Sequence, residues 1–266
     1  MPEVWIIAAN TFREILRRKV IYVLLLLGVL MIVIWLGQTS LMNMASEAGE
    51  PEILLEMKTS QTRFFFGMWS FCTAVLGLFL GAVALATEIR TQTIVPVLVR
   101  PIPRWAYLVG KWLGTQSFVC LLLGLGLGIG LAIIWAFELE IRPLFWFSML
   151  EMFAFVTLFT GVSLGLSVVL NPILAGGVTF LVASLPNMIE FLFRHPHWAL
   201  KGLAAAVYYL CLAHMTTDLL ADSFEREPIQ PDYSLYARVI VENVLYSMTV
   251  LLAGCILFSR REIKLK

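Results

Sequence analysis

One stretch of the chain has the spacing of a serine nucleophile. Residues 161–165, Gly-Val-Ser-Leu-Gly, match the G-x-S-x-G pattern that presents a serine hydroxyl for attack on an acyl group. That chemistry needs a sharp turn between a strand and a helix, whereas this stretch lies inside a long apolar segment. We therefore interpret Ser163 as a packing residue and predict no catalytic residue in this chain.

Nucleotide hydrolysis is the second chemistry to look for. It requires a loop of the form G-x-x-x-x-G-K-[ST], in which backbone amides and the lysine hold the phosphates. Gly110-Lys111 is followed by Trp112, and no glycine stands at the required upstream position. The sequence therefore predicts that this chain neither hydrolyses ATP by that route nor holds a cofactor of its own.

Thioether and imidazole side chains, which suit copper, occur in three scattered pairs. No pair completes a coordination shell by itself, so the sequence predicts no metal site. The pairs are Met42 with Met44, His195 with His197, and His214 with Met215.

Three carboxylates lie within or beside apolar segments, where an ionisable group is costly and usually faces a cavity or a partner. Glu151, Glu190 and Glu242 are therefore the candidates for a substrate pathway or gate. Each lies near the predicted outer end of a span, so contact with lipid headgroups is the competing interpretation.

The composition identifies the elements that must position these residues. Hydrophobic residues make up 60% of the 266-residue chain, charged residues make up 14%, and the mean hydropathy is +0.87. A spanning helix needs about 20 apolar residues to cross roughly 30 Å of hydrocarbon. The sequence predicts an all-α membrane protein of one domain, residues 1–266, with six spans at 20–37, 64–86, 115–137, 145–170, 173–193 and 239–258.

The cations predict the orientation, because Lys and Arg near short loops stay cytoplasmic. With the N-terminus inside, the inner segments 1–19, 87–114, 171–172 and 259–266 carry twelve cations and four acids. This predicts a multi-pass protein of a bacterial-type inner (plasma) membrane with both termini in the cytoplasm. Residues 198–213, within the outer loop 194–238, are short and interrupted by Lys201, which favours an interfacial or re-entrant helix.

Two further patterns concern packing. Apolar residues recur at helical spacing through residues 1–19, which predicts an amphipathic helix on the inner leaflet. Glycines repeat four residues apart, a spacing that lets helix backbones approach closely, at Gly77 and Gly81, Gly124 and Gly128, Gly126 and Gly130, and Gly161 and Gly165.

A basic interruption separates the second and third predicted spans. Residues 88–114 contain four cations and no acid after Glu88, while Pro96, Pro101 and Pro103 forbid one long helix through them. This pattern predicts a cytosolic contact surface.

The interruption and the start of the chain together resemble the permease subunits of type-2 ABC exporters. The resemblance rests on Thr11-Phe12-Arg13-Glu14 and on Glu88, Thr93, Ile94, Leu98, Arg100, Pro101, Arg104 and Lys111. It covers the six-span plan, and the chain departs from the family pattern at Gln92 and Pro96.

The resemblance implies a coupling helix at residues 88–105 that sits in a cleft of a separate ATPase subunit. The implied contact residues are Glu88, Arg90, Thr93, Ile94, Leu98, Arg100, Pro101 and Arg104. It also implies short external helices between spans five and six, a homodimer of permeases, and two ATPases that bind ATP and magnesium.

The resemblance therefore leads us to expect that closure of the ATPases pushes through the coupling segment, tilts the spans and exports a substrate that the sequence does not identify. Three alternatives stay open. The permease could relay ATPase motion to a periplasmic partner, as in copper-enzyme maturation. A secondary transporter would instead need charged or unwound helix centres near the midplane. An intramembrane enzyme would depend on Ser163.

Overall fold

The protein is all-α throughout the part that the structure describes. This computed structural model describes residues 2–17, 51–90, 103–182, 223 and 233–260, with a few helical positions between 28 and 40. The helices in these ranges are α1 (Pro2–Arg17), α2 (Pro51–Arg90), α3 (Arg104–Ala136), α4 (Pro143–Ser167), α5 (Pro172–Val182) and α6 (Tyr233–Arg260).

Four of these helices are long and apolar enough to cross a membrane, which confirms the predicted class. The apolar stretches are Ile53–Leu85, Arg104–Ala136, Pro143–Ser167 and Tyr236–Arg260. They correspond to the predicted spans 64–86, 115–137, 145–170 and 239–258. α5 lies in the first part of predicted span 173–193, and the remainder of that span lies outside the described residues. Predicted span 20–37 and the external helix at 198–213 lie largely or wholly outside the described residues, so the six-span layout stays a prediction.

The helices continue beyond the apolar segments that predict them. α2 has 40 residues and α3 has 33, so at 1.5 Å per residue they are about 60 Å and 50 Å long, against roughly 30 Å of hydrocarbon. α2 reaches Arg90, and α3 begins at Arg104, where Pro103 stands at the N-cap with extended backbone. Helical structure therefore extends into both ends of the interruption predicted over 88–114.

Close helix contacts occur at three of the four predicted glycine pairs. Gly77 and Gly81 of α2 face Thr160 and Ser163 of α4, and a Cβ at Gly81 would lie 2.9 Å from the Thr160 carbonyl oxygen. In the same way Gly161 and Gly165 of α4 face α6, and Gly126 and Gly130 of α3 face Trp69 and Phe66 of α2. Gly124 and Gly128 have open space where a Cβ would be.

α1 runs side by side with the first third of α3. Ile7 lies against Gly110, Thr11 lies against Gly114, and Ile15 belongs to the same buried cluster as Phe118. Each step of four residues along α1 matches a step of four along α3, so the two helices point the same way. Part of the apolar face of this helix therefore packs on protein, whereas Trp5 and Ile6 are exposed. Its position at the inner leaflet stays a prediction.

Candidate functional site

A buried ionic cluster joins the helices that flank residues 91–103. Its central group is the ammonium of Lys111, on the second turn of α3. We call this cluster the junction and define it as Glu14 of α1, Glu88 of α2, and Arg104, Tyr107 and Lys111 of α3.

Lys111 holds two carboxylates from two other helices. Its side chain is only 6% exposed, and its Nζ is hydrogen-bonded to Glu88 Oε1 and lies 3.5 Å from Glu14 Oε2. A buried ammonium is costly unless it is paired, and here both partners come from distant parts of the chain. The position of α1 and the end of α2 are therefore tied to one side chain of α3.

Tyr107 extends the junction to α6. Its hydroxyl donates to Glu88 Oε2, and its ring stacks on Phe258 with ring centroids 6.4 Å apart. The Nζ of Lys111 lies 5.9 Å from the centre of the same ring, within the range of a cation–π contact. One tyrosine thus contacts the ends of α2 and α6 at once.

Arg104 covers the end of α6. Its guanidinium donates to the carbonyl oxygens of Phe258 and Ser259, each at 3.5 Å. The last carbonyls of a helix have no partner within the helix and carry the negative end of its dipole, so a cation is favourable there. The first residue of α3 is therefore held against the last turn of α6.

Two glycines allow α1 to come close enough for Glu14 to reach Lys111. A Cβ at Gly110 would lie 2.8 Å from the Cβ of Ile7, and a Cβ at Gly114 would lie 2.6 Å from the carbonyl oxygen of Ala8. Both distances are too short for a side chain. The four-residue spacing of Gly110 and Gly114 is visible in the sequence, but this pair is not among the glycine pairs predicted to pack helices. The sequence also shows Tyr107 and Lys111 four residues apart, on one face of a helix, and none of the predictions used that spacing.

A second polar group lies deeper along α3, between α4 and α6. Gln116 Nε2 donates to Thr157 Oγ1 at 2.7 Å, and Ser247 donates to the Thr157 carbonyl oxygen at 3.0 Å. The Thr160 hydroxyl lies 2.9 Å from Gln116 Oε1, 2.6 Å from the Val156 carbonyl oxygen and 3.3 Å from the Thr157 carbonyl oxygen, so its single proton has three alternative acceptors. We call Gln116, Thr157, Thr160 and Ser247 the polar layer.

The predicted ATPase-contact residues divide into two groups. Glu88 and Arg104 are described and make contacts within this chain. Arg90 is the last residue of α2, but its side chain is not among the described groups. The remaining residues lie wholly outside the described part of the chain: Thr93, Ile94, Leu98, Arg100 and Pro101.

Two of the three predicted pathway acids, Glu151 and Glu242, are described, and they lie on different helices. Glu242 of α6 is paired with Arg238 one turn away at 2.7 Å, and Glu151 is half-buried on α4. Glu190 lies outside the described residues, as do the Met and His pairs considered for copper. No group of three or more His, Cys, Asp or Glu that could hold a metal occurs in the described part of the chain.

Ser163 lies in the interior of α4 and is fully buried. Its hydroxyl donates to the Thr160 carbonyl oxygen at 3.2 Å, within the same helix. The strand-to-helix turn that a nucleophile of this motif needs is absent at this position, so Ser163 acts as a packing residue facing Gly81.

A comparison with protein families supplies an independent finding. A family model described as ABC-2 family transporter protein matches residues 5–258, which is nearly the whole chain. A comparison with curated proteins gave no match.

Proposed function

Because the chain belongs to the ABC-2 family of transporter proteins, we propose that it couples ATP hydrolysis in a separate ATPase subunit to export across the inner membrane. The chain is the membrane permease subunit of an ABC transporter. In the proposal, two copies assemble with two ATPases that bind ATP and magnesium, and both termini lie in the cytoplasm.

The junction is the observation that supports a coupling role. Glu88 and Arg104 stand at the two ends of the interruption between α2 and α3, where a partner would push. Glu88 is bonded to Tyr107 and Lys111 of α3, and Arg104 is bonded to the last carbonyl oxygens of α6. A push on residues 91–103 is therefore passed to α1, α2, α3 and α6 together, through contiguous packed and charged contacts.

The two groups of predicted contact residues take different parts in this proposal. Arg90, Thr93, Ile94, Leu98, Arg100 and Pro101 form the surface that meets the ATPase. Glu88 and Arg104 hold the ends of that surface in place. Arg90 and Arg100 give the surface a positive charge, which suits an acidic face on the ATPase.

In the proposal, the polar layer is the part of the bundle that responds to movement at the junction. Gln116 lies five residues beyond Lys111, a rise of about 7.5 Å along the same helix. A shift of α3 past α4 would break the hydrogen bonds of Gln116, whereas Thr157 and Thr160 would keep their bonds to the carbonyl oxygens of Phe153 and Val156. The two threonines therefore stay paired while α3 moves.

The pathway acids have a secondary place in the proposal. Glu151 and Glu242 lie on α4 and α6, which pack together, and both are near the helix ends opposite the junction. A gate to the outside would lie at that end. Together with Glu190 they stay candidates for it.

The test separates contact from transmission in vesicles that contain the permease and its ATPase. We expect Arg100→Glu to lower the amount of bound ATPase, because it reverses a charge on the contact surface. Arg104→Ala should retain ATPase binding while weakening its effect on ATP turnover. Lys58→Met is the control, because Lys58 lies at the opposite end of α2 beside the Phe137 carbonyl oxygen. Unchanged binding and turnover in both arginine variants would contradict the proposal.

A further inference from the structure

An apolar groove lies between α2, α3 and α4, away from the junction. It borders the polar layer at Cys120, which is hydrogen-bonded to Gln116. Its volume is about 460 Å³, which is within the usual range of ligand sites, about 300–1,000 Å³. It occupies the half of the bundle near the connection between α3 and α4. Its walls include Phe66, Trp69, Gly124, Leu127, Trp146 and Met149.

The groove has a buried floor and an exposed rim. Phe66 on the floor is only 3% exposed, whereas Trp146 and Leu150 on the rim are about half exposed. Two of its polar groups are already used, because the Ser70 hydroxyl donates to the Gly67 carbonyl oxygen and Trp69 Nε1 donates to the Leu122 carbonyl oxygen. The groove therefore offers an occupant apolar contact and no hydrogen bond from these two groups.

A glycine leaves one side of the groove open. Nothing lies within 4 Å of the place where a Cβ of Gly124 would be. At Gly126, two residues further along the same helix, the Trp69 ring occupies the place where a Cβ would be. The opening at Gly124 is thus a vacancy of side-chain width beside the rim.

We propose that this groove binds one acyl chain of a bilayer phospholipid. All three helices are long and apolar enough to cross a membrane. In the proposal, the half-exposed apolar rim faces the hydrocarbon of the bilayer. Water is excluded because it needs two to four polar partners, whereas an acyl chain gains dispersion contacts along the walls. Met149 and Met152 line the groove and can adapt to a chain that moves.

The dimensions agree with a chain segment from one leaflet. Trp146 and Phe153 mark the two ends of the rim on α4, a rise of about 10 Å. Half of the hydrocarbon core is about 15 Å thick. An acyl chain that lies along α4 would therefore fill the groove and keep its headgroup at the membrane surface near the start of that helix.

The test uses the full chain in lipid nanodiscs that contain phosphatidylcholine with a photoactivatable diazirine on one acyl chain. After irradiation, the labelled residues are identified by mass spectrometry. We expect adducts to concentrate on groove residues such as Leu127 and Met149, compared with Leu252 and Ile256, which are exposed on α6 outside the groove.

Two glycine variants give the matched comparison. Gly124→Leu should lower labelling of the groove about tenfold, because the leucine takes the place of several methylene groups of the chain and removes their dispersion contacts with the walls. Gly128→Leu should leave it unchanged, since Gly128 also has open space but does not line the groove. Equal labelling of the groove and α6, no loss in Gly124→Leu, or adducts that join two copies of the chain there would overturn the proposal.

Discussion

Replacing Lys111 with methionine is the sharpest test of the junction as a structural element. Methionine keeps most of the apolar stem but removes the ammonium that holds Glu14 and Glu88. Removing one partner of a buried ion pair costs about 3–5 kcal/mol, because a charge is left buried and unpaired. We expect the free energy of unfolding to fall by less than this.

Two features of the junction lower the expected cost. Glu14 is 42% exposed and can be solvated, and Glu88 keeps the hydrogen bond from the Tyr107 hydroxyl. We therefore expect Lys111→Met to destabilise the protein by about 2 kcal/mol. The assay is thermal or denaturant unfolding of the purified protein in detergent, with Lys58→Met as the control.

A second substitution separates the loss of charge balance from the loss of packing. In the double variant Lys111→Met with Glu88→Gln, the side chain at position 88 no longer carries the charge that Lys111 neutralised. It should regain about half or more of the lost stability, a coupling that a double-mutant cycle measures directly. The reasoning about the junction is refuted if Lys111→Met is as stable as the wild type. It is also refuted if the double variant loses as much stability as the two single variants lose together.

Three further predictions concern single contacts. Tyr107→Phe should lower the free energy of unfolding by about 1–2 kcal/mol, since Glu88 loses one hydrogen bond to a charged group; an unchanged unfolding midpoint would contradict this. Gly114→Leu should detach α1, because its Cβ would lie 2.6 Å from the Ala8 carbonyl oxygen; proteolysis near the N-terminus should become faster, and Gly128→Leu, with open space, should not change it. Gln116→Leu should change stability by less than about 1 kcal/mol, because Thr157 and Thr160 keep backbone acceptors, while ATP-driven function falls; a large loss of stability would show that the polar layer is mainly structural.

The class of the protein could be predicted from composition, and the family could be predicted from the residues around the interruption. Apolar runs of about 20 residues identify spans because hydrocarbon leaves the backbone few alternatives to a helix. The start of α3 could not be found in this way, because Lys111 interrupts the apolar pattern. Its charge is neutralised by Glu14 and Glu88, which are 97 and 23 residues away in sequence.

The sequence also did not predict whether a given helix face is covered by lipid or by protein. An amphipathic pattern in residues 1–19 predicts a buried face but does not say whether lipid or protein covers it. α1 places Ala8, Thr11 and Ile15 against α3. Glycine spacing was more informative, since three of the four predicted pairs lie at close helix contacts. Gly110 and Gly114 have the same four-residue spacing and lie where α1 packs on α3, although they are not among the predicted pairs.

The central claim is that the junction passes movement from the ATPase contact to the spans. The most direct measurement is ATP turnover per bound ATPase in vesicles, compared between the wild type and the double variant Lys111→Met with Glu88→Gln. The account predicts that the variant binds the same amount of ATPase but no longer changes its turnover relative to the isolated ATPase. Wild-type turnover at equal binding would contradict the claim.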